Sequence, residues 1–306
     1  MAYSQGGLIE ASDYNNFLNG THQINSIWST GTGSTGYGQT ALNTIASGGS
    51  VSASQWSSLI NTLNSMYAHQ TGSGSGISAV TSGGTIYWLS ALASSITTAY
   101  TNRSLFASQG STVTGSVYSP NYTVSATTAA QTWTFTRTIT FASADRARYF
   151  FNSGGQLNFV TTSATNNDSS TRSADWTTLI GTNFNSLSAI RSLTNGGRSG
   201  VGGTVNTAIT NFGYYNLTTT GVTVSKILSL SPTYSGDYIQ LNMRSNGTQG
   251  ANSDAGSVIY LDFTVYSAAT GSSFNQSINV TWNHRIDVVY PETTNLGNSW
   301  GTVTIT

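Results

Sequence analysis

The feature that most constrains the fold is a strict two-residue alternation over residues 133–141. Threonines at even positions separate the residues Trp133, Phe135, Arg137, Ile139 and Phe141. Successive side chains of a β-strand point to opposite faces, so this period predicts a half-buried strand with a threonine outer face. Arg137 falls on the apolar side. That position predicts a carboxylate partner at an interface or sheet edge, or a side chain that extends to the rim.

Further strands are predicted after about residue 112, where the period changes from helical spacing to two. The candidate strands cover residues 222–228, 238–243, 259–265, 278–289 and 300–305. The alternation in the first of them breaks after Val224. A short helix is predicted at 173–180. Antiparallel strands with one inserted helix favour a β-sandwich-like domain over a doubly wound sheet.

The first third of the chain has apolar residues at helical spacing. Helices are predicted at 12–28, from Ser52 onward and at about 86–100. Ser12 is the expected N-cap of the first helix, and the Ser52-Ala-Ser-Gln55 sequence is a capping box. The predicted fold class is therefore α+β. A small helical region at 1–107 precedes a β-rich domain at 108–306.

The predicted helices carry large aromatic side chains for their size. Such faces can form a small bundle or dock on a partner. The candidate subunit contacts among them are Tyr14, Trp28, Trp56 and Tyr67.

Composition narrows the class of partner. Only 7% of residues are charged, the formal net charge is +0, and 11% are aromatic. No basic surface is expected for nucleic acid, and no apolar stretch has the length of a membrane span. The absence of cysteine excludes disulfides and thiol chemistry. A surface of Ser, Thr, Asn and Gly loses little side-chain entropy when a neighbour covers it. The composition therefore suits an assembly subunit.

Residues suited to catalysis are sparse. The histidines are His22, His69 and His284, and no cluster with metal-ligand spacing surrounds them. We therefore predict no catalytic, cofactor-binding or metal-binding residues. A glycoside hydrolase needs two carboxylates facing across a cleft, and only Asp262 and Asp287 lie on candidate strands that would allow this. Aromatic residues on a polar surface leave a carbohydrate-binding module open as an alternative.

The segment 144–158 concentrates charge and aromatic residues in a nearly uncharged chain. Arg146 and Arg148 precede three consecutive aromatics and a Gly-Gly pair. The glycines allow left-handed backbone, either as a helix C-cap or in a tight turn. We interpret the segment as a strand–turn–strand corner held by its aromatics. Asp145 would pair locally, and one arginine would be free for a neighbouring subunit, so both arginines are candidate contacts.

The sequence Ala147-Arg-Tyr-Phe-Phe-Asn-Ser-Gly-Gly-Gln-Leu157 resembles the "aRyFFNsGGqi" stretch of a family of virion structural proteins of tailed bacteriophages. Shorter similar pieces occur in the same order along residues 8–217. They are Ala11-Ser-Asp-Tyr-Asn15, Gly36-Tyr-Gly-Gln39, Ala53-Ser-Gln-Trp-Ser-Ser-Leu59, His69-Gln-Thr-Gly72, Ser173-Ala-Asp-Trp176 and Gly213-Tyr-Tyr-Asn-Leu217.

The resemblance implies a non-enzymatic virion component of the tail, baseplate or fibre apparatus, present in multiple copies. Its expected partners are copies of itself and other virion proteins. The resemblance supplies no catalytic residues. The main alternative is a carbohydrate- or host-receptor-binding module with a host-surface glycan as partner. A capsid decoration protein or a glycoside hydrolase is a weaker hypothesis.

Overall fold

The computed structural model describes residues 10–20, 23–83, 89–126, 128–184, 217–249 and 254–306. Helices and antiparallel sheets both occur, so the α+β prediction is confirmed. The α-helices within these residues are α1 (Ala11–Leu18), α2 (Ile24–Trp28), α3 (Ala53–Thr71), α4 (Leu89–Thr101), α5 (Ala144–Asn152) and α6 (Thr171–Thr178). The strands are β1 (Gln109–Val113), β2 (Asn121–Val124), β3 (Gln131–Thr140), β4 (Gln156–Asn166), β5 (Val222–Leu228), β6 (Tyr238–Ser245), β7 (Val258–Ser267), β8 (Ile278–Pro291) and β9 (Thr304–Ile305).

The helical region differs from the prediction at its start. The single helix predicted at 12–28 is two helices, α1 and α2, because the chain bends at Gly20, whose φ of 146° suits glycine. Ser12 is inside α1 and does not cap it. Glu10 and Asp13 instead form the capping box of α1.

The second predicted helix is confirmed in detail. Ser52 Oγ accepts from the Gln55 N–H at 3.2 Å, while the Ser52 N–H donates to Gln55 Oε1 at 2.9 Å. Gly72 ends α3 in the left-handed conformation, with φ 84°. The predicted start of the third helix, near residue 86, lies outside the described residues.

One sheet has five antiparallel strands in the order β5–β6–β7–β3–β9. The predicted threonine face of β3 points outward, and its alternate residues face the second sheet. The broken alternation in β5 is a shift in register between Thr223 and Ser225, which is a β-bulge.

The other sheet is built around the long strand β8. β4 pairs with one edge of β8, and β1 and β2 lie end to end along the opposite edge. A bridge between Tyr118 and His284 fills the interval between β1 and β2. The two sheets pack face to face through aromatic rings. The ring centroids of Phe159 and Phe263 are 4.7 Å apart, and those of Phe135 and Trp282 are 5.8 Å apart.

The segment 144–152 is a helix, and the strand–turn–strand interpretation is wrong. Ser143 caps α5 by accepting from the Arg146 N–H at 3.2 Å. Gly154, with φ 93°, turns the chain directly into β4. The other inserted helix, predicted at 173–180, is α6, and it continues as a π-helical turn over Leu179–Asn183.

The helical region covers the end of the sandwich at which β3 and β8 finish. Gln39 Nε2 donates to the Gly297 carbonyl at 2.9 Å, and Ser299 Oγ donates to the Tyr37 carbonyl at 2.5 Å. The predicted boundary at 107/108 falls between α4 and β1. One hydrophobic core runs across it, from Tyr14 and Trp56 to Trp282 and Trp300.

Candidate functional site

Arg148 of α5 is buried next to two carboxylates. Its side chain is 2% exposed, with Nη1 2.5 Å from Asp254 Oδ2 and Nη2 2.6 Å from Asp145 Oδ1. Nε and Nη2 also donate to the Thr30 carbonyl, at 3.2 and 2.9 Å. The prediction that Arg148 contacts a neighbouring subunit is therefore wrong, because its guanidinium is enclosed and bonded within its own chain.

Asn152, one turn later on α5, binds the same loop. Its side-chain N–H groups donate to the carbonyls of Thr35, at 2.9 Å, and of Gly33 and Gly36. Gly38 allows the close packing of Tyr149, because a Cβ on Gly38 would lie 2.3 Å from that ring. Helix α5 therefore clamps the loop after α2 to the end of the sandwich. We call this contact the α5 junction.

Arg146 has a different environment from Arg148. Its side chain is half-buried, and no carboxylate of the described residues lies within ion-pair distance. Of the two arginines predicted as contacts, Arg146 is thus the one that remains accessible to a neighbour, and its contact role stays a prediction.

The four aromatic candidates in the helices divide into two pairs. Tyr14 and Trp56 are 1% and 2% exposed, with ring centroids 6.2 Å apart, so they form the helical core and are wrong as surface contacts. Trp28 and Tyr67 are half-buried. Their polar atoms bind the backbone, Trp28 Nε1 to the Thr40 carbonyl and Tyr67 Oη to the Ser95 carbonyl, each at 3.1 Å. Their role as subunit contacts stays a prediction.

A second buried polar contact joins α3 to the residues after β8. His69 Nδ1 lies 2.9 Å from Glu292 Oε1, and both side chains are almost fully enclosed. Burial by itself raises the pKa of the Glu292 carboxyl. The hydrogen bonds from His69 and from the backbones of Asn295 and Thr294 outweigh it and lower the pKa to about 2. Sequence reasoning missed this pair because its members are 223 positions apart.

The two carboxylates considered for glycoside hydrolysis do not face each other. Asp262 lies on the outer face of the five-stranded sheet, where Arg244 Nε is 2.6 Å and Thr136 Oγ1 2.7 Å away. Asp287 alternates with the inward residues of β8 and lies on the outer face of the other sheet, 2.8 Å from Arg285 Nε. The sandwich separates them, so they cannot flank one glycosidic bond.

A second cluster of polar groups lies inside the sandwich near β3. His284 is fully enclosed, with its ring centroid 4.7 Å from that of Trp282 and 5.0 Å from that of Phe135. Neither ring nitrogen has a hydrogen-bond partner of normal geometry within the described residues. Burial and the nearby Arg137 charge lower the pKa of His284 to about 4, so its imidazole is neutral at pH 7.

Arg137 is the charged member of this cluster. Its guanidinium carbon lies 5.3 Å from the centroid of the Tyr118 ring. Its Nε has no hydrogen-bond partner, and the carboxylate predicted for it is absent from the described part of the chain. Tyr122 Oη nearby is also unpartnered. We call Arg137, His284, Tyr118 and Tyr122 the edge cluster, since it lies between β3 and the β1–β2 edge of the second sheet.

The described residues hold no group of three or more histidine and acidic side chains placed to bind a metal ion. None of their helices is both long enough and apolar enough to cross a bilayer. His22 and the 213–216 part of the Gly213–Leu217 piece lie outside them.

No family model, curated protein or solved structure matches the chain.

Proposed function

We propose that this protein is a non-enzymatic structural component of a tailed-phage virion, in the tail, baseplate or fibre apparatus. It assembles there in multiple copies, with itself and with other virion proteins. The observation that carries the proposal is the use of the 147–157 segment. Arg148, Asn152 and the aromatic residues between them make internal contacts in the α5 junction. The segment that resembles the virion family thus has a structural role in this chain.

The charge arrangement supports a structural role. Many of the chain's few carboxylates are bonded to a basic side chain of the chain itself. The pairs are Arg148 with Asp145 and Asp254, Arg172 with Asp237, Arg244 with Asp262, Arg285 with Asp287 and His69 with Glu292. A reactive site usually keeps a titratable group open to a substrate, whereas these groups are committed to the fold.

The carbohydrate-binding alternative has less support. The aromatic residues on the outer face of the five-stranded sheet include Tyr238 and Tyr266, which stack on each other at 4.9 Å. Lys226 Nζ lies 4.0 Å from the Tyr238 ring centroid, on the β5 side. Sugar rings stack on an open aromatic face, and both faces of Tyr238 are occupied. Arg244 covers Tyr260 in the same way, at 4.0 Å.

Quantitative mass spectrometry of purified phage particles tests the proposal. The chain should remain with the particles through density-gradient purification, in a fixed ratio to a known tail protein. Its absence from purified particles would overturn the proposal. A ratio that instead follows the capsid protein after tails and heads are separated would favour the capsid-decoration alternative. Binding of the purified chain to a glycan array would support the receptor-binding alternative.

A further inference from the structure

We propose that Asn19 is a site of spontaneous deamidation, at which the folded chain converts this side chain to aspartate or isoaspartate with water as the only co-reactant. The sequence Asn-Gly-Thr occurs twice, at 19–21 and at 246–248. Because glycine has no Cβ, the backbone N–H that follows each of these asparagines is an unhindered nucleophile. The identical local sequence makes the two sites a matched pair, so a difference in their rates reports the fold. A third Asn-Gly pair, Asn195–Gly196, lies outside the described residues.

The reaction is an attack of the backbone on its own side chain. The Gly20 nitrogen loses its proton and bonds to Asn19 Cγ, the bond from Cγ to Nδ2 breaks, and the amide group leaves as ammonia with that proton. Water then opens the resulting five-membered ring at one of its two carbonyl carbons, giving aspartate or isoaspartate. The attack requires the nitrogen to meet Cγ along a defined line, so its rate depends on how freely the side chain and the following backbone turn.

Asn19 is only loosely held in the turn between α1 and α2. Within the described residues its exposed side chain has one partner, Asn25 Nδ2, which donates to Asn19 Oδ1 at 3.0 Å on the surface. The Asn19 N–H closes α1 on the Asn15 carbonyl at 3.1 Å, but no described group accepts from the Gly20 N–H. Gly20 has φ 146°, and a glycine can rotate from there without a side-chain clash. The loss of one surface hydrogen bond therefore frees both reacting groups.

Asn246 is also exposed but is fixed by three hydrogen bonds to the start of β7. Its Oδ1 accepts from the N–H groups of Ser257 and Val258, at 2.9 and 3.0 Å. Its own N–H donates to the Val258 carbonyl at 3.0 Å. Gly247 packs on the returning chain, since a Cβ on it would lie 3.0 Å from the Ala255 carbonyl carbon. Turning the Asn246 side chain toward the Gly247 nitrogen breaks both bonds to Oδ1, so the fold suppresses the reaction here.

Deamidation of Asn19 changes the connection between α1 and α2. The product carries a negative charge at the C-terminal end of α1, where the helix dipole disfavours it. Isoaspartate also adds one methylene group to the main chain at the bend between the two helices. α1 packs through Tyr14 on Trp56 of α3, so the altered bend positions a helix of the core. The modified chain is a distinct, more acidic form of the protein, and its formation is independent of any assembly role.

Peptide mass spectrometry of the folded wild-type chain, kept in mildly alkaline buffer, tests the proposal. Deamidation at Asn19 should be at least about tenfold faster than at Asn246, because two backbone N–H groups hold the second side chain. In concentrated urea the two rates should converge, since the local sequences are the same. Equal rates in the folded chain, or faster reaction at Asn246, would overturn the proposal. A difference that persists in urea would overturn it too, because it would not arise from the fold.

A second variant separates Asn19 from the other asparagines nearby, which are Asn15, Asn16 and Asn25. Asn19→Gln lengthens the side chain, so cyclisation would need a less favourable six-membered ring, and the mass change of this peptide should disappear. Asn16→Gln, on the exposed side of α1, is the matched control and should leave the mass change as in the wild type. Circular dichroism should be unchanged in both. A mass change that persists in Asn19→Gln comes from a neighbouring asparagine and would overturn the assignment.

Discussion

Two arginines of this protein, one buried and one half-buried, have opposite environments. Arg148 in the α5 junction is surrounded by Asp145, Asp254 and the Thr30 carbonyl, which together bind its whole guanidinium. Arg137 in the edge cluster lies over Tyr118, with its Nε unpartnered and no described carboxylate at ion-pair distance. The first region is complete within one chain, and the second has polar groups left to be bound.

This difference separates a site committed to the fold from one with hydrogen-bonding capacity left over. Buried polar groups normally have partners, so a saturated site needs nothing further from outside. The comparison also corrects the interpretation of the sequence, in which Arg148 is a candidate contact to a neighbouring subunit and Arg137 pairs with a carboxylate.

The largest expected effect is at the α5 junction. Arg148→Met leaves the enclosed Asp254 carboxylate without its cation, so the free energy of unfolding should fall by about 3–5 kcal/mol. Urea denaturation followed by tryptophan fluorescence measures it. The matched control is Arg146→Met on the same helix, which should change stability by less than about 0.5 kcal/mol. Equal effects from the two variants would contradict the distinction between them.

The second-largest expected effect is a pH dependence of stability, caused by His284 in the edge cluster. The pKa of His284 is about 4 in the folded protein, against an ordinary value of 6.5. The unfolded chain therefore binds a proton first as the pH falls, and stability present above pH 6.5 is lost progressively toward pH 4, by roughly 3 kcal/mol. His284→Phe removes this loss.

Urea denaturation of His284→Phe and the wild type at pH 7, 5.5 and about 4.5 measures the change. The advantage of the variant should grow as the pH falls. Protonation of the Glu292 carboxyl also lowers the free energy of unfolding at acid pH. Both proteins share that loss, so it cancels in the difference between them. Parallel pH profiles for the two proteins would show that His284 does not titrate as inferred.

A smaller effect is expected from the amide of the α5 junction. Asn152→Ala leaves the buried carbonyls of Thr35 and its neighbours without their donor, at a cost of about 1–3 kcal/mol. Asn167→Ala, whose amide hydrogen bonds are solvent-exposed, is the control and should have little effect. Equal losses of unfolding free energy in the two variants would show that the buried amide of Asn152 contributes no more to stability than an exposed amide does.

The smallest effect on monomer stability is expected at Arg137. Arg137→Met leaves no described carboxylate unpaired and keeps an apolar stem in the sandwich, so stability should change by less than about 1 kcal/mol. Destabilisation as large as that of Arg148→Met would show that Arg137 is saturated within its own chain.

The sequence predicts the regular elements well and the tertiary polar contacts poorly. The 133–141 strand and the Ser52 cap are encoded within a few residues, so local pattern is sufficient for both. Helix α5 is misread because Tyr149, Phe150 and Phe151 are all buried, and a continuous apolar run fits a strand as well as an enclosed helix.

The partners of the α5 junction could not be predicted from spacing. The Thr30 carbonyl that binds Arg148 is 118 positions away, and the Gly33 carbonyl that binds Asn152 is 119 positions away. Among the candidate contacts, Tyr14 and Trp56 were misassigned for the same reason. Their aromatic pattern marks a helix face but does not say whether that face meets its own chain or another.

Hydrogen exchange of individual backbone amides tests the central claim most directly, measured on the isolated wild-type chain and on Arg148→Met. The N–H of Tyr37, which donates to the Ile27 carbonyl within the loop clamped by α5, should exchange slowly in the isolated wild-type chain and faster in Arg148→Met. Fast exchange of the Tyr37 N–H in the isolated wild-type chain would contradict the assignment of the α5 junction to internal structure.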